Sequence, residues 1–579
     1  MSLFDDASLV LIPDGAKDGT LYSVKPTDGT GDFTFTRGSN LAATRVDENG
    51  LIEKGRENLL LQSNQFDTTW VQFQGSSVTS GQEGYDGSSN AWKLNVVNTQ
   101  LYSGLYQVIS GSYVGTQSIY AKAGTLDHIG FVNMSGSGFS AWFDLTNGTI
   151  GTQGGSNIDA SIESVGNGWY RLSVTQSGAK SYFQIKPSDS ENLPSSSNGY
   201  IYIQDAQLEA GLVATDYIET GATTAQAGIL EDLPRIDYSG GASCPALLLE
   251  PQRTNLITNS EYFGTWTGST YITSNYAISP DGSQNASRCL FTGSNQVLTI
   301  TSSLSTGVSC SATIYVKGTS GETIRLAAGG VDTMHTLNGD WQRIETNATS
   351  INSTFVLNTF GGATARDLLI FGAQLEEGSY PTSYIPTYGS SVTRSADVPN
   401  ISSGSSIFND SEGTFYVEIE GLSDTASTKV ITIGDGTSSN RVQIFYQSGT
   451  NITTNVISGG SAQVSGFTTS ATQTDNNKVL IRYASNNAKM YLNGTEIASD
   501  TSVTPPSGLN VLRFDNGVGA ALFEGEVKQL LYFPTALTDA ECIALTRPYN
   551  TYQEWVDGEG LTWESKSCTN QSILELQNL

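Results

Sequence analysis

The feature that most restricts how this chain can fold is a stretch it carries twice. Residues 206–220 read AQLEAGLVATDYIET and residues 373–387 read AQLEEGSYPTSYIPT, nine of fifteen positions being identical at an offset of 167. The match extends upstream. RENLLLQSNQFDTTW (56–70) answers RTNLITNSEYFGTW (253–266), with Arg56/Arg253, Asn58/Asn255, Ser63/Ser260 and Phe66/Phe263 all at an offset of 197. SIYAKAG (118–124) answers TIYVKGT (313–319) at 195, and GNGWYRL (166–172) answers NGDWQRI (338–344) at 172. Offsets that change only between matched blocks mean loops of unequal length on one scaffold. Two copies are too few for a solenoid, so the reading is two tandem modules, 46–228 and 229–397.

Each copy reads as short strands. SIYAKA and TIYVKG alternate with a period of two, and YIYIQDAQL and LLIFGAQL are apolar closing strands. Gly, Ser, Thr and Asn are abundant, only 15% of residues are charged, and long helical patterns are nearly absent. The expected fold class is all-β: tandem jelly-roll sandwiches with a third sandwich behind them. In a jelly roll the first and last strands are commonly neighbours. The expectation is therefore that Arg56 pairs with Glu209 and Arg253 with Glu376 across that seam, because buried charges are usually paired. The duplicated sentence would then be structural, with Leu208/Leu375 in the core, a turn at Gly211/Gly378 and Tyr217/Tyr384 packing beyond it. The alternative is a ligand site. Arg45/Arg235 and Asp47/Asp237 repeat as Arg-x-Asp and are taken to mark each module's entrance.

From about residue 405 the pattern changes. GTFYVEIEGL, KVITIGDG, NRVQIFYQSG and NKVLIRYASNNAKMYLNGTEIA are alternating strands, and Asn493-Gly494 predicts a hairpin turn. LTDAECIALT predicts a helix with Thr538 and Glu541 as its capping box. The order YLNGTEIA, then FEGEVKQLLYFPTALTDAECIAL, resembles a laminin-G-like (concanavalin A-like) sandwich over 398–547. Residues 548–579 read as a tail. Residues 1–45, with SLVLIPDG and LYSVKPTDGTGDFTFTRGSN, read as an attachment arm. The stretch from that arm through ATRVDENGLIEKGRENLLLQS resembles the beginning of tailed-phage virion proteins of the head-fibre and tail-fibre type. In such proteins carbohydrate-binding-like jelly rolls and laminin-G-like domains follow in tandem. The resemblance implies a virion location after synthesis in the host bacterial cytoplasm. It also implies contacts with other virion proteins through residues 1–45, a homo-oligomer (a trimer, with a dimer as alternative), and glycans of a cell or mucosal surface as candidate partners.

Little in the chain points to catalysis. His128 and His335 sit in no metal-binding spacing, and neither a GxSxG elbow nor a CxxC pair occurs. Glu418-Ile419-Glu420 places two carboxylates on alternate positions, as concanavalin A-like glucanases do, but without a third acid. The reading is a non-enzymatic structural protein, with a receptor-binding adhesin as the alternative and a polysaccharide depolymerase behind it. For sugar contacts, Trp92 and Trp142 are the candidates, because they lack a tryptophan counterpart in the other module, whereas Trp70/Trp266 and Trp169/Trp341 recur and read as core. No cofactor is expected; calcium in GDGTSSN (434–440) or DGSSN (86–90) is the one metal considered, and Asx-Gly turns explain those loops equally well. With 28 basic against 56 acidic residues, a net of −28, a nucleic-acid partner is disfavoured. No stretch has the apolar length of a membrane-spanning helix. Five cysteines in no even framework argue against disulfide scaffolding.

Overall fold

The computed structural model describes residues 3–548 apart from 40, 98–102, 137, 192–197, 240–243, 362–364, 425–426 and 448–449. The tail expected at 548–579 lies, from 549 on, outside the described residues. The chain forms two compact units. One comprises Lys54–Gly228 with Thr254–Val392, the other the stretch up to Glu53, then Ile229–Arg253, then everything from Thr393.

The first of these units holds both duplicated modules, and both are antiparallel sandwiches. In module one, a six-stranded sheet runs in the order Asn157–Gly166, Trp169–Gln176, Gly115–Ala123, Gly199–Ala210, Ala91–Val96, Ser77–Gln82. It faces a second sheet ordered Thr149–Gln153, Phe139–Asp144, His128–Val132, Ala179–Ser188, Gly104–Ser112, Val71–Phe73. Module two repeats the plan with five strands (Ile272–Ala277, Ala286–Phe291, Arg366–Glu377, Ser309–Lys317, Gln342–Thr349) against four (Val297–Thr301, Thr354–Asn358, Thr323–Ala328, Val331–Thr336). Alternate residues of each strand point inward, so each module closes over its own apolar core. The cores share a Phe–Trp–Phe trio. Phe66 meets Trp70 edge-on and Trp70 meets Phe183, just as Phe263 meets Trp266 and Trp266 meets Phe355.

The duplicated sentence is a clasp, but not the one expected from charge. Asn58, fully buried, donates to the carbonyls of Ala206 (3.2 Å) and Ile218 (2.8 Å) and accepts from the amides of Leu60 and Leu208. Asn255 makes the same four bonds to Ala373, Ile385, Ile257 and Leu375. Ser63 and Tyr217, and likewise Ser260 and Tyr384, join hydroxyl to hydroxyl. Among the described residues the expected ion pairs do not form. Glu209 instead accepts from the amide and hydroxyl of Thr215 and from Gln207, and Glu376 from Thr382 (2.6 and 2.7 Å) and Gln374 (3.0 Å). Neither Arg56 nor Arg253 is ion-paired to its predicted glutamate among the described residues, and Arg253 donates to the Gln252 carbonyl. The turn after the closing strand folds back over the carboxylate, so donors six residues away satisfy it locally.

The tandem modules are locked together. Lys54, near the start of module one, places its ammonium 2.9 Å from Glu261 and 2.9 Å from Asp281, both in module two. Those carboxylates hold its pKa well above the ordinary value in spite of burial. Asn275 of module two reaches Asp159 (3.0 Å) and the Leu212 carbonyl (2.8 Å) of module one.

The other unit is a single sandwich assembled from three separate stretches of chain. One sheet includes Glu412–Gly421, Gly525–Phe533, Asn477–Ala484 and Asn487–Leu492, the other Lys429–Gly434, Arg441–Gln447, Asn451–Ser458 and Ser461–Ser470. The hairpin turn at Asn493-Gly494 and the helix Asp539–Thr546 with its Thr538–Glu541 capping box form as the residues predict.

Two expectations are corrected here. Residues 1–45 are not a free arm: Leu9–Leu11 pairs with the strand Gly525–Phe533, and Phe33–Thr36 pairs with Val398–Ile401, with Leu9, Leu11, Phe33 and Phe35 fully buried. Residues 229–253 do not open module two, since Ala246–Leu249 pairs with Gly525–Phe533 as well. A buried ion network fastens the three stretches. Asp397 meets Arg37 (3.2 Å) and Arg235, and Glu250 meets Arg235 (2.5 Å) and Arg394 (2.8 Å). Arg45, by contrast, makes a partly exposed pair with Glu53, so the two Arg-x-Asp motifs are not equivalent. Cys289, Cys310 and Cys542 are free and buried, whereas Cys244 is disulfide-bonded, contrary to the expectation from cysteine spacing.

Candidate functional site

The two tryptophans chosen from sequence do not face solvent. Trp92 is 8% exposed, belongs to the core of module one and donates its indole N–H to the Asn64 carbonyl (2.9 Å). It cannot meet a sugar in the folded protein. Trp142 is 4% exposed, yet it lies on the outer side of its sheet, where Phe139 stacks on it at 4.6 Å and 26°. The stack rests on Gly130, whose missing side chain would otherwise lie 2.8 Å from both rings.

Phe139 leads to the cavity that sequence reasoning missed. The outer face of the sheet carrying Ala179–Ser188 is concave and encloses about 470 Å³, lined by Phe73, Tyr106, Tyr182, Phe139, Gln184 and Lys186 among others. Strand alternation explains this wall. Phe183 and Ile185 enter the core, so Tyr182, Gln184 and Lys186 face out. Tyr106 stands opposite Gln184 in register and meets Tyr182 edge-on at 5.5 Å, and Phe73 meets Tyr106 at 5.8 Å. Lys186 lies 5.4 Å from the centre of the Phe139 ring, and Gly104 leaves room beneath its side chain. Burial lowers the Lys186 ammonium to about 8. Half-buried aromatic rings beside an amide and an ammonium are the elements that stack on a pyranose and hydrogen-bond its hydroxyls.

Module two shows what the scaffold alone requires. The shared Trp–Phe core pairs equate Phe183 with Phe355, so Tyr182, Gln184 and Lys186 correspond to Thr354, Val356 and Asn358. Tyr106 corresponds to Thr299, which stands opposite Val356. Gly130 and Trp142 correspond to Arg325 and Met334. There Arg325 is ion-paired with Asp332 at 2.8 Å and Met334 is 58% exposed. The aromatic wall is therefore specific to module one. A second cavity of about 420 Å³ lies between the modules, lined by Asp159, Glu163, Arg171, Ser173 and Gln284 among others; it is polar and lacks an aromatic wall.

The remaining candidates are accounted for by local bonds. Glu418 accepts from Asn476 (2.7 Å) and Glu420 faces Lys528 (2.8 Å). In the loops considered for calcium, Asp435 accepts from Thr437 and Asn440, and Asp86 from Ser88. His128 bonds Asp127 at 2.8 Å, and His335 lies 3.4 Å from the Thr346 hydroxyl, its pKa lowered by burial.

Comparison with a family model bears on the unit formed around the C-terminal strands. Residues 394–542 match the Laminin_G_3 family model, described as the Concanavalin A-like lectin/glucanases superfamily, and this stretch has that fold. Among solved structures, one similar chain is the CBM40 of Ruminococcus gnavus IT-sialidase bound to α2,3-sialyllactose. It is 18% identical, covering 24% of this chain and 84% of that one, with a TM-score of 0.21. Another is a mutant NanB sialidase from Streptococcus pneumoniae (16% identical, 25% of each chain, TM-score 0.22). Sheep galectin-11 in complex with glycerol is 12% identical over 21% of this chain and 85% of that one, at 0.15. A search of curated proteins finds no match.

Proposed function

We propose that this chain is a non-enzymatic structural component of a tailed-phage virion, a fibre or decoration protein, whose first module makes weak glycan contacts repeated over many copies on the particle. The observation that carries the glycan part is the aromatic wall of module one, built on a scaffold whose duplicate does without it. The virion part rests on the resemblance of the N-terminal stretch and on the tandem order of the sandwiches. Weak sites gain avidity when many copies engage one surface, and the assembly is proposed to be a homotrimer, with a dimer as alternative.

Immunogold microscopy of virions with antibody against this chain tests the placement. Gold on head or tail is expected, and unlabelled particles would remove the virion reading. A glycan array with the native protein and with the Tyr106→Thr/Tyr182→Thr double variant tests the site, with binding expected only for the native chain. The receptor-binding adhesin is favoured by the same wall and differs in one outcome: the soluble native protein would then block phage adsorption. Depolymerase activity is tested by the viscosity of capsular polysaccharide, which the native protein should leave unchanged.

A further inference from the structure

Resting on the reading of module one as a glycan-binding face, we infer that the sugar it takes carries an N-acetyl group, whose amide pairs with Gln184 while the pyranose ring stacks against Tyr106 and Tyr182. Tyr106, Tyr182 and Gln184 are the only side chains among the described residues lining this cavity that can accept a hydrogen bond. No Asp or Glu is among them, and Lys186 only donates. The side chains of all three acceptors are without a hydrogen bond among the described residues. Each sugar hydroxyl brings a donor that must find an acceptor, and a carboxylate is the side chain richest in acceptor sites. Without one in the lining, a sugar that replaces a hydroxyl by an acetamido group is better matched than a plain hexose.

The strands place the amide where such a group can reach it. Phe183 and Ile185 are fully buried, so Gln184 between them faces out, and the ladder sets it opposite Tyr106, the ring that Tyr182 meets edge-on. A glutamine side chain donates and accepts at once, as an acetamido group does, so the two pair through N–H to carbonyl bonds in both directions. The acetyl methyl needs an apolar partner. Val132 and Phe139, opposite one another in register, supply that corner of the lining. Module two lacks the whole arrangement. Its counterparts are Thr299, Thr354 and Val356; the Thr299 hydroxyl donates to the Phe355 carbonyl (2.9 Å) and that of Thr354 to Asn352 (2.7 Å). The duplicate thus keeps its hydroxyls for its own fold and has an aliphatic residue where module one has the amide.

The test uses polyacrylamide conjugates of N-acetylglucosamine and N-acetylgalactosamine beside those of glucose and galactose, so that each pair differs only in the acetamido group. Binding is measured by biolayer interferometry on the immobilised full chain. The native protein is expected to prefer at least one N-acetylated sugar over its parent hexose by about tenfold. Gln184→Val, which copies module two, should bring that ratio close to one while leaving hexose binding at its native level. Gln184→Glu, which keeps the acceptor and loses the donor, should also abolish the preference. Equal binding within both pairs by the native protein, or a preference that survives Gln184→Val, would overturn the inference while leaving the glycan reading intact. Binding of none of the four conjugates, or binding that survives Tyr106→Thr/Tyr182→Thr, would overturn the reading beneath it.

Discussion

The outer faces of the two tandem sandwiches share their central strands and almost none of their side chains. Module one shows Tyr106, Tyr182, Trp142 and Lys186 where module two shows threonines, Met334 and Asn358. The inner faces, by contrast, share a Phe–Trp–Phe trio, and Asn58 and Asn255 make the same four bonds. Identity inside and divergence outside separate what the fold requires from what only one module uses. Half-buried rings are not needed to close this sandwich, because its duplicate closes without them.

The comparison can be broken in graded ways. The largest effect should come from Lys54, a link with no counterpart that braces module one. Lys54→Ala leaves Glu261 and Asp281 buried without their cation and should cost about 3–5 kcal/mol, read as early melting of module two by calorimetry. If module two melts unchanged, the lock between modules is not where the structure puts it. Asn58→Ala and Asn255→Ala should each cost about 3 kcal/mol, since each orphans buried backbone groups. Clearly unequal costs would show that the two clasps are equivalent in geometry only.

A subtler contrast concerns pH. Asp205 of module one is buried beside Tyr85 and Gln204, with Asp86 and Glu219 near it, and burial raises its carboxyl to about 6. The corresponding residue of module two is Gly372, and both adopt positive φ, 51° and 61°. A folded value above the ordinary 3.8 means that protonation favours the folded state. Module one should therefore gain stability, about 2–3 kcal/mol, as pH falls from about 7 to 4, and Asp205→Asn should remove that slope from urea midpoints. The smallest effect is expected at the site itself. Tyr106→Thr with Tyr182→Thr, which copies module two, should change stability by less than about 1 kcal/mol while abolishing glycan binding. A loss of several kcal/mol would mean that the rings serve packing after all.

Much of this could be read directly from residues. Matching offsets located the duplication, alternation gave the strands, and the capping box gave the helix. The clasp was visible as a repeated Arg-x-Asn-Leu, but charge drew attention to the arginine when the shorter asparagine does the bonding, because an amide both donates and accepts whereas a guanidinium only donates. The aromatic wall left a signal too: Tyr106 and Tyr182 sit at outward positions in one copy and threonine in the other. Trp92 and Trp142 stand out by lacking a tryptophan counterpart in the other module, yet large aromatics are mostly buried, and so are these two. The N-terminal strands could not be assigned from their own neighbourhood, since three-residue segments reveal no partner that lies most of the chain away.

That last feature has a cost during synthesis. The Ser8 hydroxyl bonds the carbonyl of Tyr532, 524 residues downstream, so at elongation rates of ~5–20 residues/s the first strand waits roughly 25–100 s on the ribosome for its partner. The inserted tandem block can complete itself in that interval. The sandwich built from three stretches is thus the last part to fold, and until release its earliest strands are a ready target for a holding chaperone.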